Sequence, residues 1–211
     1  MKTKKKLPVM ITVTLIILLL IPAGFFAYLS GDNWGFARSV SIVEQLHRLS
    51  VVHTAQKWYG TQEGFENHEK ILNIYNNHKP LAQGYAVTMD DSWCATFVSC
   101  VAIEQAYTGI IPTECSCERQ IGLWQSLGRW EENDDYLPLP GDYIYYDWDA
   151  KTTSGDSTGW SDHVGIVVGT IGPFIKVIEG NKDDSVAYRI ILRGNYQIRG
   201  FGLPDYTGKF A

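Results

Sequence analysis

The sequence predicts an α+β domain. Segments with apolar residues at helical i, i+3, i+4 spacing all fall before Gly128, whereas runs rich in β-branched and aromatic residues, bounded by Gly, Pro and Asp, all follow Pro140. No internal repeat or low-complexity stretch breaks the 211 residues, which suffice for one domain with a real core and an N-terminal extension.

The extension comes first. Lys2, Lys4, Lys5 and Lys6 precede residues 7–29, which carry no charge and are long enough to cross a bilayer. No small-x-small cleavage site follows closely; Gly35-Phe36-Ala37 is late and weak. Residues 1–30 therefore read as an uncleaved signal-anchor inserted in the cytoplasmic membrane, with a secreted, cleaved form as the alternative. The retained lysines put the rest of the chain outside the cytoplasm. Residues 31–45 are a juxtamembrane linker and helix start, 46–206 the folded domain and 207–211 a tail. The chain has 18 Lys and Arg against 23 Asp and Glu, and four of the lysines lie in the leader. So acidic a remainder, without a basic stripe, excludes nucleic acid as a partner.

Helices follow in order. Ile42, Leu46, Leu49 and Val52 or His53 mark one over roughly 39–59, closed by Gly60. A second spans residues 66–78, with Ile71, Ile74 and Tyr75 on one side and Pro80 as its stop. A third runs from Ser92 to about Thr108, with Asp90, Asp91 and Ser92 as candidate caps. A fourth covers 118–127. His47, His53, His68 and His78 fall on helix faces or ends, where imidazole is commonplace.

Strands are expected at 143–148, 163–170, 174–179, 186–192 and 197–201, with a polar loop over 149–162. A three-residue hairpin loop, Thr170-Ile171-Gly172, sets His163 directly opposite Glu179. A two-residue loop at Ile171-Gly172 sends Glu179 to the other face of the sheet.

Cys94 opens the third helix, where the helix end favours a thiolate. His163 opens a strand, and Glu179 closes the next. Asn181 returns to the face of Glu179 if the chain stays extended through Gly180. A thiol, an imidazole and an orienting polar group so placed form a cysteine-peptidase arrangement. Cys100, Cys115 and Cys117 are assigned to packing, with one bridge among them left open. No metal or cofactor is expected. Asp90 and Asp91 are too few carboxylates for calcium, and the Asp147-x-Asp149…Asp156 loop lacks the glycine of an EF-hand and reads as solvated. The rings of Trp93, Trp148 and Trp160 are the expected substrate contacts, with Tyr145 and Tyr146 nearby.

Four blocks together resemble the CHAP family of cysteine- and histidine-dependent amidohydrolases and peptidases: Asp91-Ser92-Trp93-Cys94-Ala95-Thr96-Phe97-Val98-Ser99, Pro140-Gly141-Asp142-Tyr143-Ile144, Asp162-His163-Val164-Gly165-Ile166-Val167 and Ile178-Glu179-Gly180-Asn181. The ending Ile198-Arg199-Gly200-Phe201-Gly202-Leu203-Pro204-Asp205-Tyr206 is similar to the closing segment of CHAP-like proteins. The resemblance spans residues 46–206. It implies a papain-like fold that hydrolyses peptidoglycan amide bonds, as an N-acetylmuramoyl-L-alanine amidase or a stem or cross-bridge endopeptidase. Cys94 would be the nucleophile, His163 the base, Glu179 its orienter and Asn181 a fourth polar member. The alternatives are an acyltransferase using the same pair, and a non-catalytic wall-binding or secretion-apparatus scaffold.

Overall fold

Helix α3 (Cys94–Glu104) is the centre of the packing, because residues 94–102 are apolar or small and all are buried. In the computed structural model, residues 34–150 and 157–207 are described, and the compact unit they form begins at Gly35. Around α3 stand α1 (Ile42–Lys57), α2 (Glu66–Asn77) and α4 (Cys117–Ser126). One antiparallel sheet follows, in the order β1-β6-β2-β3-β4-β5. Its strands are β1 (Trp130–Glu131), β2 (Tyr143–Tyr146), β3 (His163–Ile171), β4 (Phe174–Lys182), β5 (Ser185–Leu192) and β6 (Ile198–Gly202). The architecture is α+β. The apolar segment at residues 7–29 lies outside the described residues, among which no helix is long and apolar enough to cross a membrane.

The sheet has two apolar faces. Tyr143, Tyr145, Val164, Ile166, Ile178 and Val186 join the helices in the larger core. Ile144, Tyr146, Val167, Val177, Ile198 and Phe201 form a second cluster on the opposite face. Gly180 lets β4 approach α3, since a Cβ there would lie 2.4 Å from that of Phe97. The α1–α2 connection covers the start of the β5 edge: Gly60 N–H donates to Val186 O (2.9 Å), Val186 N–H to Thr61 O (2.8 Å) and Glu63 N–H to Asp184 O (2.8 Å).

Two helices differ from the expected pattern. The stripe of Ile42, Leu46 and Leu49 faces outward, and α1 instead buries Arg48, Val51, Val52, Thr54 and Ala55. Arg48 turns the helix. Its guanidinium donates to Asp142 Oδ1 (2.7 Å), Pro140 O (3.1 Å) and Glu44 Oε1 (2.8 Å), beneath the Tyr206 ring. Helix α3 starts at Cys94 with Trp93 in the cap position and no side-chain cap. Asp91 is occupied elsewhere, accepting from Thr88 N–H (2.7 Å), Thr88 Oγ1 (2.8 Å) and Tyr85 Oη (2.8 Å).

The β3–β4 hairpin corrects the expected register. Its turn is Gly172-Pro173, with Ile171 opposite Phe174 and Gly172 at φ 56°. Continued evenly, that turn would place Glu179 on the face opposite His163. A bulge at Val168, between the Val167–Val177 and Gly169–Lys176 pairs, restores the parity. Glu179 consequently pairs with Gly165, two residues from His163 and on its face.

Asp142 is fully buried, and burial pushes its carboxyl upward despite the adjacent Arg48. Removing one member of such a pair strands the other charge. Asp142→Ala is expected to cost about 3–5 kcal/mol of stability, measured by urea denaturation, with a value under about 1 kcal/mol contradicting this account of α1.

Candidate active site

The N-terminus of α3 reaches the start of β3, where Cys94 Sγ lies 4.0 Å from the Asp162 carbonyl oxygen. Cys94, His163 and Glu179 are all buried. His163 Nε2 and Glu179 Oε2 are 3.1 Å apart, which leaves Nδ1 as the ring nitrogen available to the sulfur. Gly165 makes this diagonal contact feasible, because a Cβ there would lie 2.7 Å from Glu179 Cγ.

Electrostatics favour an ion pair. The Cys94 thiol is held well below its ordinary range, first by the hydrogen bond with Cys117 and then by His163, against the opposing effect of burial; Ala95 N–H also donates to it. Burial, the largest single influence on His163, pulls its imidazole down. Hydrogen bonds and charges from Cys94 and Glu179 outweigh this and raise it to about 9. Burial also disfavours the Glu179 carboxylate, but His163 and Arg189 together keep it below the usual range. Both shifts favour the thiolate–imidazolium pair over the neutral one. The first N–H groups of α3 have no intrahelical partner and can receive an oxyanion formed at the sulfur.

Two participants were not expected from sequence. Arg189 Nε donates to both oxygens of Glu179, at 2.7 and 2.9 Å, and its guanidinium lies 4.6 Å from the Trp148 ring centroid. Cys117, assigned to packing, has its sulfur 3.6 Å from that of Cys94. For Arg189 there was no usable signal, because even alternation along β5 would turn it away from Glu179. For Cys117 the signal was the position at a helix start after Ser116, whose hydroxyl accepts from Arg119 N–H at 3.5 Å.

Asn181 is not brought into the group. It sits at φ 55°, so the chain is not extended through it, and no hydrogen bond joins its amide to His163 or Glu179. It occupies a second bulge, where four residues from Glu179 to Lys182 oppose three from Ala187 to Ser185. That bulge places Arg189 on the face of Glu179.

The tryptophans separate. Trp93 is wholly buried, donating to Glu63 Oε2 (2.8 Å) and packing on His68 at 4.6 Å, so it is a core residue and not a substrate contact. His68 in turn accepts from Gly64 N–H (3.1 Å). Trp148 stacks on Tyr146 at 4.5 Å and lies 6.1 Å from His163, with its backbone N–H donating to Asp162 Oδ2 (2.9 Å). Trp160 is 69 % exposed beside the strand that begins with His163. Asp147 is buried and accepts from Ser157 Oγ (2.8 Å), not solvated as expected. Among the described residues no group of three or more His, Cys, Asp or Glu is placed to hold a metal ion.

Searches against protein-family models, curated proteins and solved structures return no match to this chain.

The ion pair sets a pH profile. Iodoacetamide alkylation of Cys94 is expected to rise well below the ordinary thiol range and to change again near pH 9, as His163 loses its proton. Glu179→Gln removes the charge that supports the imidazolium and should move that second step down by about one pH unit or more. A single rise near pH 8.5 would contradict the pairing.

Proposed function

We propose that the chain is a CHAP-like cysteine hydrolase that cuts amide bonds of peptidoglycan from the outer side of the cytoplasmic membrane. The observation that carries the reading is the buried Cys94–His163–Glu179 series, with one imidazole nitrogen held by the carboxylate at 3.1 Å and the other left to the thiol. The four sequence blocks supply the substrate class.

In the proposed reaction the Cys94 thiolate attacks the amide carbonyl. The resulting oxyanion accepts from backbone N–H groups at the start of α3. His163, already protonated, gives its proton to the departing amine, leaving a thioester on Cys94. The neutral imidazole then takes a proton from water as the water attacks the thioester, and the acid product leaves with the thiolate regenerated. Glu179 keeps the ring oriented and offsets its charge throughout. Arg189 keeps Glu179 ionised and in place. Trp148, held over Arg189 and Tyr146 with its ring 6.1 Å from that of His163, is the proposed aromatic contact for the substrate.

The full chain in detergent, incubated with purified peptidoglycan and followed by mass spectrometry, tests this reading. New amino termini together with free lactyl groups on the glycan would identify an amidase. Cut stems or bridges would identify an endopeptidase, and cross-linked products an acyltransferase. Cys94→Ala should abolish release, and His163→Ala should lower it roughly 10²–10⁴-fold. Equal release by the wild type and Cys94→Ala would overturn the proposal.

A further inference from the structure

Helices α3 and α4 each begin with a cysteine, and the two sulfurs lie 3.6 Å apart as free thiols. Both partial positive helix ends thus converge on one sulfur pair. Cys94 and Cys117 are both buried, at 5 % and 7 % exposure, which limits any oxidant that reaches them to a small one.

The position of Cys117 is held by an extensive buried frame. Three residues on, Gln120 donates to Pro112 O (2.7 Å) and accepts from Tyr145 Oη (2.8 Å). Tyr145 Oη also accepts from Trp124 Nε1 (2.8 Å), a full turn further along α4. Glu118 accepts from Ser161 N–H (3.1 Å), tying the first turn of α4 to the segment that leads into His163. The other cysteines are elsewhere. The Cys100 sulfur lies 4.0 Å from Glu104 on its own helix, and six residues along a helix turns a side chain well away from Cys94. The Cys115 sulfur is engaged by Glu114 at 3.5 Å and Gln83 at 3.9 Å.

We infer that Cys117 is the resolving thiol of Cys94, so that oxidation of the site by a hydroperoxide ends in a reversible Cys94–Cys117 disulfide. In the first step the Cys94 thiolate attacks the peroxide, the O–O bond breaks, and with one proton taken up the products are Cys94 sulfenic acid and an alcohol or water. In the second the Cys117 sulfur attacks the Cys94 sulfur, the S–O bond breaks, and the Cys117 proton leaves with the hydroxyl as water. The sulfur pair has lost two electrons to the peroxide. Bond formation requires the sulfurs to close from 3.6 Å to about 2.05 Å. An external dithiol reverses it by thiol–disulfide exchange. The nucleophile is thereby withdrawn but protected from irreversible oxidation to sulfinic or sulfonic acid.

The full chain, reduced and freed of reductant, is treated with a several-fold molar excess of hydrogen peroxide; its remaining thiols are blocked, and the digest is mapped by mass spectrometry. The expected product is a cross-linked peptide joining Cys94 to Cys117, two hydrogens lighter than the reduced pair and lost on treatment with dithiothreitol. In Cys117→Ser the same exposure should leave Cys94 carrying two or three oxygens, unrecovered by dithiothreitol. Cys94 over-oxidised in the wild type, or linked to Cys100 or Cys115, would overturn the inference. The wild-type map stands even if the variant misfolds, and because no wall substrate is used, its result is independent of the peptidoglycan reading.

Discussion

A fully buried carboxylate, Glu179, imposes the main constraint on this molecule. An unpartnered charge at that depth is not tolerated, and here it is met by an imidazole from one neighbouring strand and a guanidinium from the other. Both partners must therefore stand on the same face of β4. Neither hairpin turn alone achieves that. Gly172-Pro173 on one side and Asp183-Asp184 on the other each set the odd parity, and each is corrected by one bulge, at Val168 and at Asn181. Asparagine suits the second position because it accepts the left-handed conformation more readily than most side chains. Between the bulges, Gly165 leaves room for the carboxylate to lean towards His163.

The helical side of the domain serves the same geometry. Helix α3 is buried all round, so its direction is set by packing and not by an amphipathic stripe. The close approach at Gly180 brings it onto the strand that carries Glu179, and its first residue meets the first residue of β3. Helix α4 is steered by polar contacts, with Gln120, Tyr145 and Trp124 forming a hydrogen-bonded group inside an otherwise apolar core. Such a group fixes one arrangement, because any shift leaves a buried donor or acceptor unmet.

Much of this is legible in the amino-acid sequence, and the failures have physical causes. Cys94 and His163 stand out because each opens an element bounded by turn residues, and Glu179 because the apolar run of its strand stops there, just before Gly180. The face each side chain occupies is less accessible: an extra residue in a strand leaves no local mark on composition, and Val168 looks like any other strand valine. Arg189 is invisible for the same reason. Continuing the Lys182–Ser185 pair evenly would set Glu179 opposite Tyr188 and turn Arg189 away. Trp93 is adjacent to the nucleophile in sequence, yet at the helix start the backbone turns it inward onto His68. On α1, apolar periodicity pointed to the wrong stripe because one buried ion pair, Arg48–Asp142, overrides the leucines.

The way the sheet ends has a consequence for its behaviour in company. One outer strand, β5, has backbone groups engaged by the α1–α2 connection, and the other, β1, is only two residues long. An incoming extended chain finds the start of β5 already paired and only a two-residue strand at β1, so the margin open to edge-to-edge addition narrows to the later part of β5, where Ile190 and Leu192 are exposed.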